Sequence, residues 1–215
     1  MDVVIATVLS GIIQVLVFAF VPFIVYLATA RRQRRFAEYI GLKRAPARAA
    51  GWGVLIGMAS FPLMLGLLHV AGAADVLADP ASQTGRLREL AEARGVAAML
   101  FVAVFQAAVT TALSEEILFR GFLAKRLVSR LGFGAGNTLQ ALVFGAVHSV
   151  LLTGTATETS GPSPAVWAAV VLLPAVQGWL MGWLNERLAG GSIVPGWCAH
   201  AVSNALTFTV VPILI

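Results

Sequence analysis

Six long apolar stretches without a charged residue dominate this chain and limit the folds that are open to it. They cover residues 3–30, 51–74, 95–114, 131–157, 159–185 and 188–215. A helix that crosses a bilayer needs about 20 predominantly apolar residues, and each stretch is long enough. None shows the polar stripe at helical period that a helix on a soluble domain carries. The sequence therefore predicts an all-α polytopic membrane helix bundle with about six to eight spanning helices.

The composition indicates the same class of protein. Hydrophobic residues make up 59% of the chain and charged residues only 12%, whereas a typical soluble domain has about 25% charged residues. No segment between the stretches is long enough to bury a core of its own. We therefore expect residues 1–215 to form a single membrane domain.

The charged residues lie mainly in the loops and predict an orientation. The segment 31–50 carries the densest group of arginines and lysines, and the positive-inside rule places such a loop in the cytoplasm. The first stretch precedes this basic group, so we expect a retained span and not a cleaved signal peptide. Both ends of a six-span chain then face outward. The net charge of +5 is explained by lipid headgroups, and no basic face with aromatic residues indicates nucleic acid.

Three polar clusters lie within or at the ends of the apolar stretches. They are Glu115, Glu116 and Arg120; His148; and His200 with Asn204. Ionisable groups at membrane depth are costly, and they usually face a bundle interior or a watery cavity where they have a function. The clusters therefore predict one functional site that is built from three separate spans.

The first cluster contains two carboxylates with different expected roles. Glu116 and Arg120 are four residues apart on a predicted helix, in the acid-before-base order that favours an ion pair. Successive helical residues turn by about 100°, so we expect the two carboxylates to point apart. Glu115 is then unpaired and suited to act as a general base. The alternative is that Glu115 is solvated at the headgroups and has no chemical role.

The other two clusters also follow a spacing of four residues. Phe144 precedes His148 by four and is predicted to pack against its ring. The side chains of His200 and Asn204 project from the same face of the last span. Together they can donate hydrogen bonds to a single oxygen, as an oxyanion site requires. The alternative for each histidine is a structural hydrogen bond between helices.

The three motifs together resemble those of the CPBP intramembrane proteases. This family includes the type II CAAX prenyl endopeptidases and bacterial relatives linked to bacteriocin processing or self-immunity. Its motifs are Glu-Glu-x-x-x-Arg, Phe-x-x-x-His and His-x-x-x-Asn/Asp, which occur here in the same order within residues 96–210. The resemblance implies a catalytic core over that range, in a multi-pass protein of a bacterial cytoplasmic membrane.

The resemblance also implies an activity and residue roles. It implies a helical bundle whose cavity opens to the cytosolic side, and endopeptidase activity. Glu115 and His148 would activate a water molecule, while His200 and Asn204 would stabilise the oxyanion. Glu116, Arg120 and Phe144 would support these groups.

The same residues leave the cofactor open. Glu115, His148 and His200 could supply the nitrogen and oxygen ligands of a divalent metal, possibly Zn²⁺, with a position left for water. A metal-free mechanism based on the glutamate fits these residues equally well. The H-E-x-x-H helix that would strongly indicate zinc does not occur in the sequence.

Two other classes of function stay possible at this point. A proton-coupled transporter could use the same glutamate and histidines as a relay. A non-catalytic binding or immunity module could hold a peptide in the cavity. The expected partner is a membrane-associated peptide or protein, and prenylated CAAX tails, leader peptides and other membrane-proximal segments are all open. The sequence does not indicate an oligomeric state.

Overall fold

The computed structural model describes residues 3–154 and 163–214, and every regular element within them is helical. Five helical segments of this part of the chain are long and apolar enough to cross a membrane. They are Val3–Thr29, Ala47–Val70, Val96–Leu151, Pro164–Leu188 and Val194–Leu214. The predicted all-α membrane bundle is confirmed.

The third segment provides two rods and not one. Its 56 residues would form a helix of about 84 Å, far longer than the roughly 30 Å of hydrocarbon in a bilayer. Gly132 interrupts it with a φ of 77° and a ψ of 167°, a conformation that is essentially restricted to glycine. The chain then folds back, since a Cβ on Gly136 would meet the backbone of Leu127 and Val128. This segment therefore provides one rod on each side of Gly132.

The helices are numbered along the chain. The α-helices are α1 (Val3–Thr29), α2 (Phe36–Tyr39), α3 (Ala47–Val70), α4 (Gln83–Arg94), α5 (Val96–Phe105), α6 (Ser114–Glu116), α7 (Lys125–His148), α8 (Pro164–Trp167), α9 (Leu173–Trp183) and α10 (Val194–Leu214). Short 3₁₀-helices cover Ala74–Leu77 and Ser149–Gly154. Four π-helical stretches extend or join the α-helices: Gln106–Leu113, Ile117–Ala124, Ala168–Leu172 and Leu184–Leu188.

The polar loop between the second and third spans contains the helix α4, which the hydropathy pattern did not predict. Its N-cap is Ser82, whose hydroxyl oxygen accepts a hydrogen bond of 2.9 Å from the Gly85 N–H. Leu87 of α4 is buried in a cluster with Met99 and Val102 of α5. Leu90 and Ala91 of α4 pack against the same cluster, so this segment packs on the bundle through a few apolar side chains although many of its residues are polar.

α10 is the central helix of the bundle and packs against α3, α4, α5 and α9. Its contact with α3 depends on Gly53 and Gly57, because a Cβ on either would meet a backbone carbonyl of α10. Two small residues four apart thus let the backbones of α3 and α10 approach closely. Pro195 is the second residue of α10 and does not interrupt the span. A proline in the first turn of a helix removes no helical hydrogen bond.

The loop after α2 is joined to the loop before α10. The Ile193 N–H donates a hydrogen bond of 2.9 Å to the Gly41 carbonyl oxygen. From α7, the Lys125 ammonium donates to the Gly191 carbonyl oxygen at 2.7 Å and lies 3.0 Å from Glu186 Oε1. These bonds fix the start of α10 relative to the first loop and to the third span.

Candidate active site

The helix that carries Glu115 and Glu116 is wound more widely on both sides of the pair. π-helical turns cover Gln106–Leu113 before it and Ile117–Ala124 after it, and α6 lies between them. A π-turn bonds to the fifth residue instead of the fourth, so it changes which side chains share a face, and such turns are frequent at functional sites. The residue spacing of the sequence does not show this change.

Side chains from other spans bond to carbonyl oxygens of the first π-helical stretch. The Trp197 indole of α10 donates to the Ala108 carbonyl oxygen at 2.6 Å. The Gln14 amide of α1 donates to the Thr110 carbonyl oxygen at 2.9 Å. The carboxylate-bearing helix is therefore held between the first and last spans by hydrogen bonds to its own backbone.

Glu116 and Arg120 form the ion pair that their spacing predicts. Arg120 Nη1 lies 2.8 Å from Glu116 Oε1, and the two side chains are 1% and 0% exposed. The guanidinium also stacks on Phe144, with Cζ 3.9 Å from the ring centroid. Gly178 makes room for it, because a Cβ there would lie 2.6 Å from Arg120 Nη2. A charge this deeply buried needs such a partner.

Phe144 is the central ring of the site. It is 1% exposed and makes edge contacts with both histidines, at centroid distances of 4.7 Å to His148 and 5.8 Å to His200. Phe119, one turn after the glutamates, packs on it at 5.0 Å. The predicted contact between Phe144 and His148 is confirmed, and the same ring also contacts His200.

His148 is held in one tautomer by its own helix. Its Nδ1 lies 2.7 Å from the Phe144 carbonyl oxygen. Because a carbonyl oxygen can only accept, Nδ1 carries the proton and the lone pair of a neutral ring is on Nε2. The ring is therefore oriented, and its Nε2 is the nitrogen that can accept a proton.

His200 contacts both carboxylates, one through each ring nitrogen. Its Nε2 lies 3.8 Å from Glu115 Oε2, and its Nδ1 lies 3.5 Å from Glu116 Oε1. The helical turn between the two glutamates does rotate them, but the two nitrogens of one imidazole face different directions and can meet both. The last span thus approaches the glutamates directly.

Glu115 and Asn204 complete the predicted set. The Glu115 side chain is 18% exposed, and its Oε2 is buried without a hydrogen bond from any described residue. Asn204 is half-buried, one turn after His200 on α10. Its position on the helix places it on the His200 face, and no contact in the structure brings it to Glu115. Its predicted role in oxyanion binding therefore rests on helical register.

The structure brings no metal-ligand cluster together in the part of the chain that it describes. Within residues 3–154 and 163–214, no three His, Cys, Asp or Glu side chains stand close enough together to hold a metal ion. Phe144 contacts both predicted histidine ligands, and Glu115 Oε2 lies 3.8 Å from His200 Nε2. Metal binding by Glu115, His148 and His200 stays a prediction.

Several buried amides near the site were missed in the sequence. Gln140 is fully buried and donates to the Gly178 carbonyl oxygen at 3.1 Å. Asn185 is 1% exposed, and its Oδ1 accepts a hydrogen bond of 2.8 Å from the Gly196 N–H. Both lie in apolar stretches without a charged residue, where hydropathy does not distinguish an amide from its neighbours. An amide inside an apolar span needs a partner, and this requirement could have identified them.

A comparison with known families agrees with the geometry. The family model described as Type II CAAX prenyl endopeptidase Rce1-like matches residues 95–206, which contain all three motifs. No curated protein and no solved structure matches the chain. α1 and α3 precede the matched region. The chain therefore belongs to the Rce1-like type II CAAX prenyl endopeptidases, within the CPBP family of intramembrane proteases.

Proposed function

We propose that this membrane protease hydrolyses a peptide bond with a water molecule that Glu115 and His148 activate. The observation that carries the proposal is the contrast between the two neighbouring glutamates. Glu116 is fully buried and Arg120 Nη1 lies 2.8 Å from its Oε1, whereas the Glu115 side chain is 18% exposed and its Oε2 lies 3.8 Å from His200 Nε2. A partly exposed carboxylate beside an imidazole is suited to act as a general base.

The reaction needs only groups that the chain supplies. Glu115 takes one proton from the water molecule, and His148 Nε2 accepts a hydrogen bond from the other water hydrogen. The water oxygen then bonds to the carbonyl carbon of the peptide. His200 and Asn204 donate hydrogen bonds to the resulting oxyanion. The C–N bond then breaks, and the proton held by Glu115 passes to the leaving nitrogen. One peptide gains a carboxyl group and the other an amine.

Glu116 and Arg120 have a supporting role in this scheme. The Arg120 guanidinium neutralises the negative charge of Glu116. Without it, the Glu116 carboxylate would compete with Glu115 for interaction with the His200 imidazole. The 3.5 Å contact between His200 Nδ1 and Glu116 Oε1 orients the imidazole so that Nε2 faces Glu115. This arrangement divides the two carboxylates into one that reacts and one that positions.

We also propose that the substrate is a membrane-associated peptide. The test compares two internally quenched peptides with the same sequence and a C-terminal CAAX tail, one farnesylated and one not. Purified protein in liposomes is expected to cleave at least one of them. A preference for the farnesylated form would assign prenylated tails as the substrate class, and equal rates would favour a membrane-proximal segment without a lipid.

The catalytic test is the substitution Glu115→Gln, with Glu89→Gln on the exposed surface of α4 as the control. Loss of a general base lowers a rate by about 10²- to 10⁴-fold, so we expect that decrease in kcat for Glu115→Gln and a wild-type rate for Glu89→Gln. Wild-type kcat in the Glu115 variant would refute the assignment. Proton flux into liposomes without peptide cleavage would instead indicate the transporter.

Metal dependence is decided in the same assay. Protein that has been chelated and shown to be metal-free by elemental analysis is assayed before and after addition of Zn²⁺. Full activity of the metal-free protein would support the glutamate mechanism. Activity that is lost on chelation and restored by Zn²⁺ would show that Glu115, His148 and His200 come together around a metal ion.

A further inference from the structure

Asn185 is a fully buried amide between the fifth and sixth spans, and only one end of its side chain is bonded. It lies in the π-helical stretch Leu184–Leu188 and is 1% exposed. Its Oδ1 accepts a hydrogen bond of 2.8 Å from the Gly196 N–H at the start of α10. Its Nδ2 has no partner in the part of the chain that the structure describes. A buried donor without a partner is costly, so a nearby acceptor is expected.

The nearby acceptor is the second oxygen of Glu116. Arg120 lies against Glu116 Oε1, and Glu116 Oε2 is buried without a hydrogen bond from the described residues. Asn185 Nδ2 and Glu116 Oε2 each lie 2.7 Å from the point where a Cβ on Gly196 would stand. An amide N–H only donates and a carboxylate only accepts, so the two groups are complementary.

We propose that Asn185 is a positioning residue of the active site, whose Nδ2 donates a hydrogen bond to Glu116 Oε2. Gly196 is the residue that permits this contact, because any side chain there would separate the two groups. Arg120 and Asn185 then hold the two oxygens of the same carboxylate. This inference deepens the proposed function and rests on it.

Asn185 acts on His200 from two directions. Through Gly196 it holds the α10 backbone one turn before His200, and through Glu116 it holds the carboxylate that lies 3.5 Å from His200 Nδ1. The other nitrogen, Nε2, faces Glu115 at 3.8 Å. A small misplacement of reacting groups costs about 10²-fold in rate, so loss of this support is expected to lower kcat and leave KM nearly unchanged.

The test is a double-mutant cycle of Asn185→Asp with Glu116→Gln, measured both by thermal unfolding in detergent and by peptide cleavage. In the wild-type background, Asn185→Asp places a second carboxylate against Glu116. We expect a large drop in unfolding temperature and about a 10²-fold drop in kcat. In the Glu116→Gln background the same substitution meets an amide, and its effect on the unfolding temperature is expected to be much smaller.

The matched control is Asn137→Asp. Asn137 is also a 1% exposed amide, but it bonds to the Trp179 carbonyl oxygen at 2.9 Å on the other side of α9. We expect it to lower the unfolding temperature equally in both backgrounds. If the Asn185→Asp variant does not accumulate in membranes, the double-mutant cycle is repeated with Asn185→Ala, which adds no charge.

Three results would separate this inference from the proposed function. Equal shifts in unfolding temperature for Asn185→Asp in the two backgrounds would overturn the contact, whatever the activity. A coupled shift with wild-type kcat would overturn the positioning role. A wild-type protein that cleaves no peptide would overturn the proposed function, and the unfolding cycle would still decide the contact.

Discussion

The first and last spans are both long apolar helices, yet they occupy opposite positions in the molecule. The most apolar window of α1 has a mean hydropathy of 2.6 with 11% of its residues buried, whereas α10 has 1.3 with 28% buried. In lipid, an apolar side chain gains nothing by leaving the surface, but a polar side chain must find a partner inside. Of these two spans, the one with the lower hydropathy is therefore the more buried, and it carries His200 and Asn204.

The contacts that hold the two spans differ accordingly. α10 is packed against α3 through glycines and bonded to Asn185 at its start. α1 exposes large side chains such as Phe20 at 63% and reaches the site helix through Gln14. A substitution in the interior should therefore lower the free energy of unfolding far more than a substitution in α1. Three substitutions measure this difference.

The largest effect is expected for Arg120→Leu, which leaves the buried Glu116 carboxylate without its partner. Breaking a buried pair in this way costs about 3–5 kcal/mol of unfolding free energy. The control is Arg88→Leu, because Arg88 pairs with Glu92 on the surface, where the side chains are 44% and 66% exposed. That loss should be about 0–1 kcal/mol. Both are measured by denaturation in mixed micelles, and equal losses would contradict the comparison.

A smaller effect is expected for Gly57→Leu on α3. A side chain at Gly57 would collide with the Ala199 carbonyl oxygen of α10, and such overpacking costs about 1–3 kcal/mol. Gly66→Leu on the same helix is the control, since no described atom lies within 4 Å of a Cβ there. Because α10 carries His200, peptide cleavage should fall with Gly57→Leu alone. A stable, active Gly57 variant would show that the two helices can separate.

The smallest effect is expected for Gln14→Leu on α1. It removes the hydrogen bond to the Thr110 carbonyl oxygen and a longer one of 3.5 Å to Ser114 Oγ, and a hydrogen bond of this kind is worth about 0.5–1.5 kcal/mol. Phe20→Leu, on the exposed face of the same helix, should change the unfolding free energy by less than about 0.5 kcal/mol. If Gln14→Leu costs as much as Arg120→Leu, α1 belongs to the interior and the comparison fails.

The spans could be predicted because hydropathy records contact with lipid directly. α4 could not, since most of its residues are polar and the few apolar ones that pack on the bundle, such as Leu87 and Leu90, are too few for a hydropathy signal. The π-helical turns were missed for another reason. They change the backbone bonding from the fourth to the fifth residue, and nothing in the side-chain pattern around Glu115 marks that change.

The site was predicted where its contacts are local. The Glu116–Arg120 pair and the Phe144–His148 contact follow from a spacing of four residues on a helix. The approach of His200 to both glutamates depends on how closely α10 packs, and sequence spacing contains no such distance. Asn185 was missed because an amide carries no charge. A buried amide nevertheless needs a hydrogen-bond partner, as a buried charged group does. The roles of Glu115, His148, His200 and Asn204 in catalysis stay predictions.

The turn at Gly132 determines where this chain can be modified. One non-helical residue joins the rod of Glu115 to the rod of His148, so an inserted or deleted residue there would rotate every later side chain of α7 by about 100°. Gly72, by contrast, is exposed in the link before α4, with no described atom near its Cβ position. A reporter tag or a circularly permuted terminus belongs at that link, where the register of the three motif-bearing helices is untouched.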